Sequence, residues 1–245
     1  SSNQSISDVN YLDNMNLFWD SSSGENVEKL ESFCKYVSRQ SITKFIARSK
    51  IFEKQLAING SIVEIGVHRG ASFMTWAQLS SIYEPVNYTR KIIGFDTFKG
   101  FPKIDKKDSL GKSETLKKGG FNIDDSSLED LYSSIQLFDE NRLMNHIPKC
   151  EIIKGDVTQT LPEYLKNNPH LLVSLLHLDA DLYEPTKTSL ENIIPRMPKG
   201  AVILFDELNM DLFPGETSAL LESLNINQKR IERFSFATSM SYLII

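Results

Sequence analysis

From residue 61 onward, short apolar runs alternate with helix-patterned segments, and this alternation limits the fold more than any other feature of the 245 residues. The runs are Ser61-Ile-Val-Glu-Ile-Gly66, Lys91-Ile-Ile-Gly-Phe-Asp96, Cys150-Glu-Ile-Ile-Lys154, Leu171-Leu-Val-Ser-Leu-Leu-His-Leu178 and Ala201-Val-Ile-Leu-Phe205. Helical spacing predicts helices over 70–83, 127–144, 159–167, 185–194 and 215–224. Pro185 suits the first helical position, where a missing N–H is not felt. Strands joined through helices run parallel, by crossovers over the sheet. The almost wholly apolar runs at 171–178 and 201–205 fit central strands covered on both faces. The chain ends differently. Strands over 230–236 and 240–245 are separated only by Ala237-Thr-Ser239, and so short a link requires an antiparallel pair. The expected architecture is an α/β fold with a mostly parallel seven-stranded sheet and a C-terminal antiparallel pair.

The part before the sheet is patterned differently. Residues 1–24 are polar, rich in Ser and Asn, and carry no clear period. Val27, Leu30, Phe33, Cys34 and Val37 recur at helical spacing, as do Ile42, Phe45, Ile46, Ile51, Phe52 and Leu56, before Asn59-Gly60 stops the pattern. This divides the chain into an N-terminal polar segment with helices, 1–57, and a sheet domain, 58–245, with an irregular excursion at 97–149. The N-terminal helices and the excursion are expected to form lids or a dimer surface, which leaves room for a homo-oligomer.

A formal net charge of −5 argues against general attraction to nucleic acid or acidic membranes. Lys103, Lys106, Lys107, Lys112, Lys117 and Lys118 lie in a Gly/Asp/Ser-rich stretch and read as a solvated loop. Cys34 and Cys150 follow no pairing pattern, so neither a disulfide framework nor a zinc site is expected. No apolar run is long enough to span a membrane. Residues 1–16 lack the basic start and apolar block of a signal peptide, so a cytoplasmic protein is expected.

In open parallel sheets, ligands sit beyond the carboxyl ends of the strands. The first strand ends in Glu64-Ile-Gly66-Val-His68-Arg-Gly70-Ala-Ser72. Gly66 and Gly70 bracket a turn where backbone can approach a ligand, and the helix beyond offers N–H groups to a carboxylate. His68 lies within that turn. Position 68 is His and position 71 is Ala, so the dinucleotide fingerprint G-x-G-x-x-G is not met; another nucleoside-bearing cofactor is favoured over NAD. Asp96 ends the second strand and can accept bonds from ribose hydroxyls. Asp156, after the third, can bond an adenine amino group or cap the helix that follows.

The fourth strand ends in Asp179-Ala-Asp181 and the fifth in Asp206-Glu207. If both strands are central, these acids are neighbours. Crowded carboxylates repel unless a proton or cation intervenes, and Mg²⁺ or Mn²⁺ suits oxygen donors. The bland alternative is that some of them only cap helices. His177 lies inside the apolar run and reads as a hydrogen-bonded core or rim residue; His146 and His170 lie close to prolines and read as loop residues.

Four motifs stand together in order: Glu64-Ile-Gly-Val-His-Arg-Gly-Ala-Ser72, Gly94-Phe-Asp-Thr-Phe-Lys-Gly-Phe-Pro102, Gly155-Asp-Val-Thr-Gln-Thr-Leu-Pro162 and Leu178-Asp-Ala-Asp-Leu-Tyr-Glu184. In this the chain resembles the macrocin O-methyltransferase family, from about residue 58 to 210. The resemblance implies a Rossmann-like class I methyltransferase fold. It implies S-adenosylmethionine as donor and Mg²⁺-assisted transfer to a hydroxyl of a sugar-containing small molecule. It places Glu64 and Gly66 at the methionine part of the cofactor, with His68, Gly70 and Ser72 in the same turn. It puts Asp96 at the ribose and Asp179, Asp206 and Glu207 at the metal. Glu207 stands where the family usually has Asp. Asp179 is also the candidate base, with Asp181 the second candidate. The segment Phe213-Pro-Gly-Glu216-Thr217 departs from the family pattern and is a candidate for shaping the acceptor pocket.

Two rival readings are a metal-dependent glycosyltransferase using the Asp179-Ala-Asp181 element on a nucleotide sugar, and a binding module that has kept the fold without turnover.

Overall fold

A computed structural model describes residues 6–124 and 126–245. It falls into two compact units, Ser1–Ile46 and Ala47–Ile245.

In the first unit, α1 (Ile6–Ser21) is followed by α2 (Asn26–Glu31), a 3-10 turn at Phe33–Lys35 and the start of α3 (Arg39–Gln55). Tyr36 holds the segment together. Its ring stacks on Phe18 at 5.4 Å and meets the edge of Trp19 at 5.0 Å, while Lys29 Nζ donates to the Trp19 carbonyl at 2.8 Å. The sequence shows no period over 1–24, yet residues 6–21 are helical.

The second unit carries β1 (Ser61–Ile65), α4 (Ala71–Tyr83), β2 (Ile92–Asp96), α5 (Ser126–Glu140), β3 (Cys150–Lys154) and α6 (Val157–Asn167). It continues with β4 (Val173–Leu178), α7 (Tyr183–Ile193), β5 (Val202–Phe205), α8 (Pro214–Ser223), β6 (Glu232–Phe234) and β7 (Ala237–Ile244). The seven strands lie in the order β3-β2-β1-β4-β5-β7-β6. The first five are parallel, and β7 runs antiparallel to both β5 and β6. The expected sheet is therefore present, with one local correction: Ala237-Thr-Ser239 belongs to β7, so the link is Ser235-Phe236. With β6 only three residues long, β7 takes up what the pattern assigned to the turn.

Each strand of the centre buries both faces. One face packs Ile62, Leu175, Val202 and Leu204 against Phe52, Phe73, Trp76, Leu131 and Phe138; the other packs Val63, Ile65, Leu176 and Ile203 against Leu161, Leu165, Leu190 and Leu220. Helices thus cover both sides of the sheet, and neither side is left to solvent. At the amino ends of the strands, Arg90 is buried. Its guanidinium pairs with Glu84 at 2.6 Å and bonds Gln55 Oε1, Ser174 Oγ and the carbonyls of Leu56, Ile58 and Gly60, so the buried charge has an ion-pair partner and several acceptors. All of these contacts lie at the end opposite the acids. No helix among the described residues is long and apolar enough to cross a membrane.

Candidate active site

Strand order reverses between β1 and β4, the place where an open parallel sheet leaves a crevice. Backbone bonds set the strand ends there. Asp179 N–H donates to the Ile65 carbonyl at 2.9 Å and Asp206 N–H to the Leu178 carbonyl at 3.2 Å. The carboxyl ends of β1, β4 and β5 are thereby level.

The turn after β1 is built around two acids. Asp96 Oδ2 accepts from His68 N–H at 2.7 Å and Oδ1 from Phe98 N–H at 2.6 Å. Both donors lie at positive φ, His68 at 51° and Phe98 at 53°, a conformation non-glycine residues hold only where their surroundings enforce it. Each oxygen of Asp96 keeps a further lone pair, so the carboxylate can still receive two hydroxyls. Glu64 is wholly buried. Ser72 Oγ donates to its Oε1 at 2.6 Å, and its Oε2 lies 3.5 Å from His177 Nδ1. Glu64 and Ser72 therefore brace the turn from below. Burial pulls the His68 pKa down against the opposing field of Asp96.

Gly66 is also required by the packing of the strands. Its φ is 91°, and a Cβ there would lie 2.0 Å from the Asp179 carbonyl oxygen. The close approach is to the exit of β4, which joins the turn to the acid-bearing strand. Gly70, at φ 82°, would meet Leu131 Cδ1 at 2.5 Å. Asp156 caps α6, its Oδ1 accepting from Thr158 N–H at 3.0 Å and from its hydroxyl at 2.7 Å.

Asp179 and Asp206 come together. With His177 they form a cluster in which one ligand atom from each lies within 4.8 Å of the others. Alternation explains this: His177 and Asp179 share one side of β4, and Asp206 extends from the same side of β5. Glu207 is outside that three-residue set; its N–H donates to Glu216 Oε1 at 3.0 Å. Asp181 is nearby, largely buried and at φ 60°. The two aspartates match the oxygen donors of a Mg²⁺- or Mn²⁺-type ion, and the imidazole as third member fits Mn²⁺ better than Mg²⁺. His177 Nδ1 lies between Trp76 Nε1 at 3.4 Å and Glu64 Oε2. It can accept from the first or donate to the second, not both.

Glu216, read from sequence only as a shaper of the acceptor pocket, is a fifth acid of this region. It is wholly buried, and burial pushes its carboxyl well above the usual range, against the Glu207 N–H bond and with the fields of Asp206, Glu207 and Asp181 adding to the rise. A Glu in the first turn of a helix ordinarily reads as a partner of the helix dipole, which hid this role.

The excursion closes over the same end of the sheet. Phe101, Leu182 and Phe213 form a small apolar cluster. Phe121, at φ 57°, packs edge-on against Phe101 at 5.4 Å, tilts against Phe213 at 6.1 Å and meets His68 at 6.3 Å. Asp108 accepts from Tyr183 N–H at 2.9 Å, at the start of α7. An open groove of about 500 Å³ beside the Asp96 turn is lined by Lys99, Gly119, Asn122, Ile123 and Asp124.

Comparison with known proteins agrees with this arrangement. The chain is 29% identical to calicheamicin methyltransferase CalS11, with a TM-score of 0.95 over 99% of this chain and 94% of that one. A second, apo structure of CalS11, described as a TDP-rhamnose 3'-O-methyltransferase of calicheamicin biosynthesis, gives 26% identity and a TM-score of 0.86 over 99% and 96%. The 8-demethyl-8-(2,3-dimethoxy-alpha-L-rhamnosyl)-tetracenomycin-C 4'-O-methyltransferase of Streptomyces olivaceus is 26% identical over 155 residues, 63% of this chain. The match spans 55% of that relative's length. The family model described as Macrocin-O-methyltransferase (TylF) matches residues 42–219. With its sheet order, its terminal antiparallel pair and this match over most of its length, the chain belongs to the macrocin-O-methyltransferase (TylF) family.

Proposed function

We propose that the protein is an S-adenosylmethionine-dependent O-methyltransferase acting, with help from a divalent cation, on a hydroxyl of a rhamnose-type sugar. The observation that carries this reading is the convergence of Asp179 and Asp206 beside the Gly66 turn, on one rim of the sheet. The names of the relatives above, one acting on TDP-rhamnose and one on a rhamnosyl group, support the acceptor class. A glycosyltransferase reading of Asp179-Ala-Asp181 is not favoured beside the family assignment.

Bound S-adenosylmethionine supplies an electrophilic methyl carbon, and a divalent cation lowers the pKa of the acceptor hydroxyl. Asp179 and Asp206 would hold the cation, with His177 beside them. Glu207 remains a further candidate ligand through its side chain. Asp96 would receive the ribose hydroxyls on its spare lone pairs. The start of α4 would face the methionine carboxylate, above the floor made by Glu64 and Ser72. Gly66, His68 and Gly70 shape that turn, and Asp156 serves it indirectly by starting α6. Asp179 would take the hydroxyl proton, with Asp181 the second candidate. Holding the acceptor hydroxyl in register with the methyl donor would account for much of the rate.

The test is mass spectrometry of a reaction containing the protein, S-adenosylmethionine and TDP-rhamnose. A sugar nucleotide one methyl heavier is expected, lost in EDTA and restored by Mg²⁺ or Mn²⁺. Turnover indifferent to EDTA would remove the cation from the account. Asp179→Asn should lower kcat by about 10²–10⁴-fold, the usual contribution of a positioned base, with S-adenosylhomocysteine affinity nearly unchanged; a fully active variant would show that Asp179 is neither base nor essential ligand.

A further inference from the structure

We propose that Glu216 belongs to the cation site as an outer carboxylate, set beside the Asp206-Glu207 turn and outside the His177, Asp179 and Asp206 set. The inference rests on the cation-assisted reading above. Glu216 lies in the first turn of α8 and is wholly buried. Its Oε1 accepts the Glu207 N–H at 3.0 Å, which aims the carboxyl back at the Asp206-Glu207 turn. Its Oε2 is buried with no hydrogen-bond partner among the described residues. The charges acting on it include Asp206, Glu207 and Asp181, all acids.

The bond to Glu207 explains one oxygen and leaves the other without a purpose. A polar atom buried without a partner is costly, and a carboxylate oxygen beside other acids adds repulsion. A cation among these side chains removes both costs at once. The adjacent Gly215 fits the same crowding. A Cβ there would lie 1.8 Å from Asp108 Oδ1 and 2.5 Å from Tyr183 N, so α8 can start this close to the site only with glycine at that position.

Glu216→Gln separates the two roles. The amide keeps a carbonyl oxygen for the Glu207 N–H and places an NH₂ donor where Oε2 was. Among acids, that donor should raise the metal-free melting temperature; toward a cation, it should repel. Mn²⁺ binding by electron paramagnetic resonance and metal-free melting are measured on the wild type, Glu216→Gln and Asp179→Asn, with S-adenosylhomocysteine affinity as the check on folding. Mn²⁺ affinity on the order of 10–100-fold weaker in Glu216→Gln, with a higher metal-free melting temperature, supports the proposal. Glu216→Asp, which keeps the charge but withdraws it by one methylene, should weaken Mn²⁺ as well. Unchanged Mn²⁺ affinity in both variants overturns the proposal and leaves the cation reading standing. A wild type that holds S-adenosylhomocysteine but no Mn²⁺ overturns both.

Discussion

The two cysteines differ in what surrounds their sulfur. Cys34 is exposed, whereas Cys150, at the start of β3, is pushed up to about 12 by burial, with the nearby Asp139 acting in the same direction. An ordinary thiol titrates near 8.5, and at that pH a group near 12 is ionised in roughly one molecule in three thousand. Iodoacetamide at pH 8.5 should label Cys34 and spare Cys150, as read by peptide mass spectrometry; equal labelling would contradict the burial. The shift also has a sign for stability. A raised thiol pKa favours the fold in full below about 8.5, and the contribution fades as pH rises toward 12, because the unfolded chain loses the proton first. Which side chains matter was legible to different degrees. Asp96, Asp179 and Asp206 each follow an apolar run directly, so strand-end position alone picks them out. Asp156 offered two roles that sequence could not separate, and the structure shows the cap. Glu216 and His177 were hidden, because spacing does not say which first-turn acid is buried, or that one strand face carries His177 toward Asp179 and Asp206.

Helix α7 starts under the control of the excursion. Asp108 Oδ1 accepts the Tyr183 N–H and its Oδ2 the Asp105 N–H, while Lys107 and Lys187 bond both the Tyr183 hydroxyl and Glu222. Part of the lysine-rich stretch that reads as a solvated loop is thus anchored to α7 and α8. Asp108→Ala removes the acceptor of the first N–H of α7 and should cost about 1 kcal/mol, a fall in melting temperature of about 2–4 °C for a unit of this size. Amides of residues 103–116 should exchange faster with deuterium, with β1 and β4 unaffected; unaltered exchange in that segment would show that the anchor lies elsewhere. The strands and most helices of the sheet unit follow from periodicity, because each buries a continuous stripe or run. Helix α1 does not, since Tyr11, Leu12, Leu17 and Phe18 make no single apolar face and all are exposed. The final turn starts two residues before the position the pattern predicts, because β7 is long and β6 short.

Taken as one molecule, the sheet unit brings the Gly66 turn and a cluster of acids to the same rim because strand order reverses between β1 and β4. The backbone contact at Gly66 welds the two halves of that rim, since no side chain fits between the turn and the exit of β4. Family and fold followed from four motifs in order, each weak alone and specific together. What the sequence held back was the third dimension of the acid cluster, which depends on side-chain direction at the ends of neighbouring strands. The most direct test of that shared rim is the NMR signal of ¹³C-methyl S-adenosylmethionine bound to the protein as Mn²⁺ is added. The methyl resonance should broaden in the wild type and stay sharp in Asp179→Asn; a wild-type methyl signal untouched by bound Mn²⁺ would place cation and methyl donor apart and contradict the account.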